Sequence, residues 1–262
     1  MQSLLFICGG LGFIYLMSCL GASTVFFFRK SSTGKFQQVF LGLAAGVMVA
    51  AAIWSLLIPA IELAEARGMH GWIPSACGIV LGALFLLGLD HLIPHLHPFS
   101  DTPEGPVSSS KRSTLLISAV TLHNIPEGMA VGLSFALAVQ QNDPAMYTSA
   151  IALALGIGIQ NFPEGAAITI PLLEDGISKR KAFGLGCMSG AMEPIFGFLT
   201  VFLAAWITPV MPWLLSFAAG SMIYVVVEEL IPEAQLNEHS HAGTLGFMTG
   251  FLLMMVLDIV LG

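Results

Sequence analysis

The stretch that decides the fold is His123-Asn124-Ile125-Pro126-Glu127-Gly128, and it is written again as Gln160-Asn161-Phe162-Pro163-Glu164-Gly165. Both copies lie in long apolar surroundings. In each, a ligand-type side chain precedes a carboxylate by four residues, one helical turn or roughly 6 Å along the axis, so both project from one face. An amide stands beside the first ligand, and a proline deprives the carbonyl of Leu122 or Ile159 of its usual donor. Polar and ionisable groups are costly in hydrocarbon and mark functional sites there. Two matching sets therefore point to one site shared by two facing helices.

That the surroundings are a membrane follows from composition: of 262 residues 56% are hydrophobic and 10% charged, with a mean hydropathy of +0.86. No soluble domain of this length has such a balance. Apolar stretches of about 20 residues fall at 4–28, 39–63, 72–96, 114–139, 145–173, 182–207, 213–233 and 243–261. The expected fold is an all-α polytopic membrane protein of eight transmembrane helices forming one domain, with residues 97–113 as a short cytoplasmic linker rich in Ser and Pro. The first span lacks a basic leading region, is long, and precedes Arg29-Lys30, so it reads as a retained helix, not a signal peptide. Cys8, Cys19, Cys77 and Cys187 show no Cys-x-x-Cys spacing and read as small apolar packing residues.

Lys and Arg set the orientation. Arg29, Lys30 and Lys35, then Lys111 and Arg112, then Lys179, Arg180 and Lys181 occupy alternate loops, and only Arg67 falls on the other side. Basic loops stay cytoplasmic, which places both termini outside. The formal charge of −7 includes acids inside spans and is not an acidic surface. No nucleic-acid partner is expected.

Further echoes link other spans. Ala44-Ala45-Gly46-Val47-Met48 with Leu57-Ile58-Pro59 matches Ala218-Ala219-Gly220-Ser221-Met222 with Leu230-Ile231-Pro232, allowing one residue of slip. Gly82 and Leu89-Asp90 match Gly250 and Leu257-Asp258 at equal separation. Spans two and seven, three and eight, and four and five are thus paired, each pair crossing the membrane in opposite senses. Such an inverted repeat, arranged three, two and three, belongs to alternating-access transporters.

Imidazole, carboxylate and amide without thiolate suit Zn²⁺, Fe²⁺, Mn²⁺ or Cd²⁺ better than Cu⁺, and a histidine disfavours Mg²⁺ and Ca²⁺. Glu193, beside Pro194 in span six, repeats the acid-and-proline pattern, and Met48 offers a thioether from span two, although most of the 13 methionines must be packing residues. At the cytoplasmic ends of spans three and seven stand Asp90, His91, His95 and His97, and Glu228, Glu229 and Glu233, with His239 and His241 in the next loop. These are candidates for an exit relay, or simply hydrated interfacial groups. Asp258 reads as lying deep in span eight.

On the two motifs, the eight spans and the variable loop near histidines, the chain resembles the ZIP family of divalent metal transporters, in its GufA-like branch. The resemblance covers essentially the whole chain. It implies uptake of zinc, with iron, manganese or cadmium as alternatives, into the cytoplasm of a cell bounded by this membrane, by a moving bundle and through a binuclear site. One ion would be held by His123, Glu127, Gln160 and Glu164 with Met48 nearby, and a second by Asn124, Glu127, Asn161, Glu164 and Glu193, the two glutamates bridging. The same resemblance implies a cytoplasmic exit site at Asp90, His95, His97 and Glu229, and admits a homodimer. Many members carry histidine where this chain has Gln160, and some an acid where it has Asn161, which bears on both ion positions.

Two other functions remain open on the residues. An intramembrane metalloenzyme would use a metal-bound water, but it requires a further base, and no His-Glu-x-x-His is present. A proton or anion carrier would use Glu127, Glu164 and Asp258 as a relay and leaves the paired amides unexplained. A channel with the same ligands is a close variant of the carrier. The reading adopted is a transporter and not an enzyme.

Overall fold

The computed structural model describes residues 2–27, 34–92, 112–174, 176–234 and 241–261. The described residues form helices and no strand. Span one is α1 (Gln2–Ser23), ending in a 3-10 turn at Thr24–Phe26. Span two runs through α2 (Gly34–Ala51), a π-helical segment (Ala52–Leu57) and α3 (Ile58–Ala66). Span three is α4 (Trp72–Leu92), span four α5 (Arg112–Gln141) and span five α6 (Pro144–Glu174). Span six is α7 (Lys179–Gly190) and α8 (Met192–Phe202), followed by the short α9 (Ala204–Ile207). Span seven is α10 (Met211–Val225), a second π-helical segment (Val226–Leu230) and α11 (Ile231–Ala234); span eight is α12 (Ala242–Leu261).

Seven of these spans are long and apolar enough to cross a membrane. The remaining one, α5, has 30 residues, and its apolar character is diluted by His123, Asn124 and Glu127. The outward surface is as apolar as the interior: Leu84, Ile195 and Val256 are exposed, while Leu11, Leu56 and Leu153 are fully buried. Helices apolar on every side belong in lipid, so this is an integral, all-α membrane protein.

The chain between α5 and α6 explains how the two motif copies meet. Asn142 takes a positive φ of 50°, Asp143 Oδ1 accepts from the Ala145 amide at 3.0 Å as an N-cap, and Pro144 opens α6. This tight turn folds the helices antiparallel. Glu127 lies 15 residues before Asn142 and Gln160 lies 18 after it (142 − 127 and 160 − 142), so both copies come to similar depth.

The packing of the other spans carries the inverted repeat. A Cβ on Gly46 would run into the Phe247 carbonyl oxygen on α12, and one on Gly220 into the Ile79 carbonyl oxygen on α4. A Cβ on Gly250 would likewise meet the Leu43 carbonyl, and one on Gly82 the Phe217 carbonyl. Under the sequence correspondence, Gly46 matches Gly220, Gly82 matches Gly250, and their partners match in turn. Spans two and eight therefore pack as spans seven and three do, backbone on backbone, which only small residues permit. Two groups of helices result: α2–α3, α4, α10 and α12 on one side, and α1, α5, α6, α7 and α8 on the other, meeting where α2 touches α6 and α10 touches α5. The one-residue slip between the echoes also has a place. It falls between Met48 and Leu57 and between Met222 and Leu230, the stretches in which both spans turn π-helical.

Loops expected on one side of the membrane are found at one end of the bundle. Lys179 Nζ donates to the Phe26 carbonyl at 3.1 Å, and at the other end Arg67 Nη1 donates to the Thr208 and Pro209 carbonyls at 2.9 and 3.2 Å.

Two expectations need correction or bounding. α5 begins at Arg112, so the last residues of the expected linker are already helical; the rest of it, with the end of span three, lies outside the described residues. α5 and α6 run on through Pro126 and Pro163, as helices lacking only the amide at each proline do. Span six, expected continuous, is broken at Ala191, where Pro194 cannot supply the amide that the Gly190 carbonyl would need. Asp258, read as deep in span eight, is buried against Ser55 of span two, three residues before the last described residue of α12.

Candidate metal centre

Glu127 on α5 and Gln160 on α6 face each other across the antiparallel pair, and Gln160 Nε2 donates to Glu127 Oε1 at 2.8 Å. The neighbouring amide, Asn161, donates from Nδ2 to Glu193 Oε2 on α8 and, at 3.4 Å, to the Ile14 carbonyl on α1. On α5, Asn124 Nδ2 donates to Ser189 Oγ at 3.3 Å, and Thr121 Oγ1 donates to the same oxygen at 3.0 Å. Asn124, Glu127, Gln160, Asn161 and Glu193 are all at most 3% exposed, far below what isolated carboxylates and amides tolerate. The break before Met192 puts Glu193 in the first turn of α8. The close approach of that turn to α5 depends on Gly128, the last residue of the first motif, whose Cβ would meet the Glu193 backbone.

The chemistry lies in what these side chains leave unused. Among the described residues, seven buried side-chain atoms have no hydrogen-bond partner, and four of them are Asn124 Oδ1, Glu127 Oε2, Gln160 Oε1 and Asn161 Oδ1. Every one is an acceptor from the repeated motif. A buried acceptor without a donor costs about 1–3 kcal/mol, so four in one place need an electropositive partner. Glu164, half-buried, stands close enough to Glu127 and Glu193 to repel both when they are charged, a repulsion that a cation would relieve. A small cavity lined by Ser18, Asn124, Asn161, Glu164 and Glu193 has room for roughly one water or one ion. Among the described residues no three His, Cys, Asp or Glu side chains form a cage by themselves. Amide oxygens stand ready to join a ligand set, which fits a divalent cation that is bound and then released.

The remaining expected residues fall into three groups. Met48 is buried on α2, which packs against α6. His123 sits on α5 one turn before Glu127 and Asp90 near the end of α4; their side chains, like that of Glu233, are outside the described set. So are His95, His97 and His239. His91 is exposed and its Nδ1 bonds to the Leu87 carbonyl of its own helix at 2.7 Å, while Glu228 is exposed and Glu229 buried within the second π segment. Asp258 accepts from Ser55 Oγ at 2.6 Å, away from those residues at the opposite end of the bundle. Ser18, Thr121 and Ser189 were missed in the sequence, because a lone hydroxyl in an apolar helix ordinarily bonds its own backbone and carries no signal.

Fold and site together define a class: a polytopic membrane protein whose central helix pair presents clustered acceptors at mid-depth, as cation transporters do. The chain belongs to the ZIP zinc transporter family, whose family model matches residues 100–258. It is 35% identical to "Zinc transporter ZIP11" of Homo sapiens over 97% of this chain and 96% of that protein. It is 38% identical to "Zinc transporter GufA" of Myxococcus xanthus over 87% of this chain and 88% of that protein, which places it in the GufA-like branch. A third relative, "Zinc transporter ZIPB" of Bordetella bronchiseptica, is 36% identical over 95% of this chain and 79% of its own length.

Proposed function

We propose that this protein carries a divalent transition metal, zinc first, into the cytoplasm through a binuclear site between α5 and α6. The observation that carries the reading is the set of four unpartnered acceptor oxygens on Asn124, Glu127, Gln160 and Asn161. One ion sits among His123, Glu127, Gln160 and Glu164, with Met48 near; the second among Asn124, Glu127, Asn161, Glu164 and Glu193. The amides of Gln160 and Asn161 serve twice. Their N–H groups orient Glu127 and Glu193, and their oxygens remain for the ion, as outer hydrogen bonds do around metal ligands generally.

Movement follows from the division into two helix groups. The site belongs to the α1, α5, α6, α7 and α8 group, and sliding that group against the other exposes it to each side alternately, in the manner of an elevator. The three basic loops favour release on the cytoplasmic side of a cell membrane. Asp90, His95, His97, Glu228 and Glu229 would serve as the exit site, from the cytoplasmic ends of spans three and seven.

Uptake of radioactive zinc by proteoliposomes tests this, with the double variant E127A/E164A as control. Saturable uptake that the double variant loses is the expected result, with iron, manganese and cadmium as competitors. A folded protein that moves none of the four ions refutes it.

A further inference from the structure

The repeated motif does not account for how Glu193 is held. Its carboxylate accepts at both oxygens: Asn161 Nδ2 donates to Oε2, and Ser18 Oγ, from α1, donates to Oε1 at 3.0 Å. Ser18 is 6% exposed and lines the same cavity as Asn124, Asn161 and Glu193. Its single hydroxyl proton also lies 3.1 Å from the Ile14 carbonyl one turn back, the partner a helical serine takes by default. A carboxylate is the stronger acceptor, so the bond between helices prevails.

The place of Ser18 is built by glycines. A Cβ on Gly190 would stand 2.7 Å from the Ser18 Cβ, and one on Gly165 would run into the Ser18 carbonyl oxygen. Gly165 closes the second motif as Gly128 closes the first, and Gly128 meets the Glu193 carbonyl oxygen in the same manner. Under the inverted repeat that pairs α5 with α6, Ser18 in span one therefore stands where Glu193 stands in span six. One half of the repeat supplies a carboxylate at this point and the other supplies the donor that holds it.

We propose that Ser18 is a positioning residue of the metal site: its hydroxyl fixes the Glu193 carboxylate so that the second ion position is formed before the ion arrives. The proposal rests on the metal-carrying reading above. A carboxylate oxygen that accepts one hydrogen bond keeps a further lone pair, so the held Glu193 is still a ligand, oriented from outside. Removing such an outer partner lowers metal affinity about 10–100-fold.

The experiment is equilibrium dialysis of the full-length purified protein in detergent against Zn²⁺, for wild type, S18A and E193Q, with a metal-free melting curve for each. Wild type is expected to bind two ions and E193Q one. S18A removes an oxygen and adds nothing; it is expected to bind the first ion as wild type does and the second at least about tenfold more weakly, with its melting curve little changed. Three results overturn the proposal: S18A binding both ions with wild-type affinity, S18A losing both together with a lowered melting temperature, or E193Q binding as many ions as wild type. A wild-type protein that binds no ion refutes the transport reading itself.

Discussion

Replacing Gly128 by alanine tests the geometry at the tightest contact of the site. The added Cβ would stand 2.6 Å from the Glu193 Cα and 2.8 Å from its carbonyl carbon. Carbon atoms in ordinary contact stay about 3.5–4.0 Å apart. The obstacle is backbone and cannot rotate away, so α5 and α8 must separate by about 1 Å. Overpacking of this kind costs about 1–3 kcal/mol. More to the point, it moves Glu193 away from Asn124 and Glu127, where a functional site tolerates only about 0.5 Å. Zinc uptake by proteoliposomes should fall about 10–100-fold, the range seen when the surroundings of a metal ligand are disturbed. Gly12→Ala is the control, because a Cβ there meets nothing within 4 Å, and it should transport as wild type does. Undiminished uptake by a folded G128A, or an equal loss in G12A, would refute the claim that this helix contact sets the site.

Three further outcomes follow. Asn161→Asp replaces the donor to Glu193 with a second carboxylate, so the metal-free protein should melt lower than wild type and gain more on adding zinc, as a thermal scan with and without the ion will show. Ser55→Ala breaks a buried bond to Asp258 and should destabilise the fold by about 1–2 kcal/mol in a denaturation series, while leaving the affinity for zinc unchanged. Because the ligands bind metal only when deprotonated, initial uptake should fall as the external pH is lowered, and initial rates measured at fixed free zinc should recover when the pH is restored.

The eight spans and their pairing were legible because apolar length and the glycine echoes are local signals, and the structure places equivalent glycines against equivalent carbonyls. The tight turn at Asn142-Asp143-Pro144 was implicit in the closeness of the two motif copies. Less legible was what the prolines do. Of the prolines beside Glu127, Glu164 and Glu193, only Pro194 accompanies a break, while α5 and α6 run on through Pro126 and Pro163. The π segments were visible only as a one-residue slip in an alignment of echoes. The hydroxyls around Glu193 left no trace in the sequence, because Ser18 and Ser189 act through contacts across more than 60 residues of chain.

The central claim is that one cation-binding place exists, made by both copies of the motif. Zinc anomalous scattering from crystals of the metal-loaded protein locates it directly. The account predicts density between α5 and α6, ringed by nitrogen from His123 and oxygen from Glu127, Gln160 and Glu164, with Glu193 and the two asparagines beside it. Zinc found elsewhere in the bundle, with that central place free of metal, would contradict it.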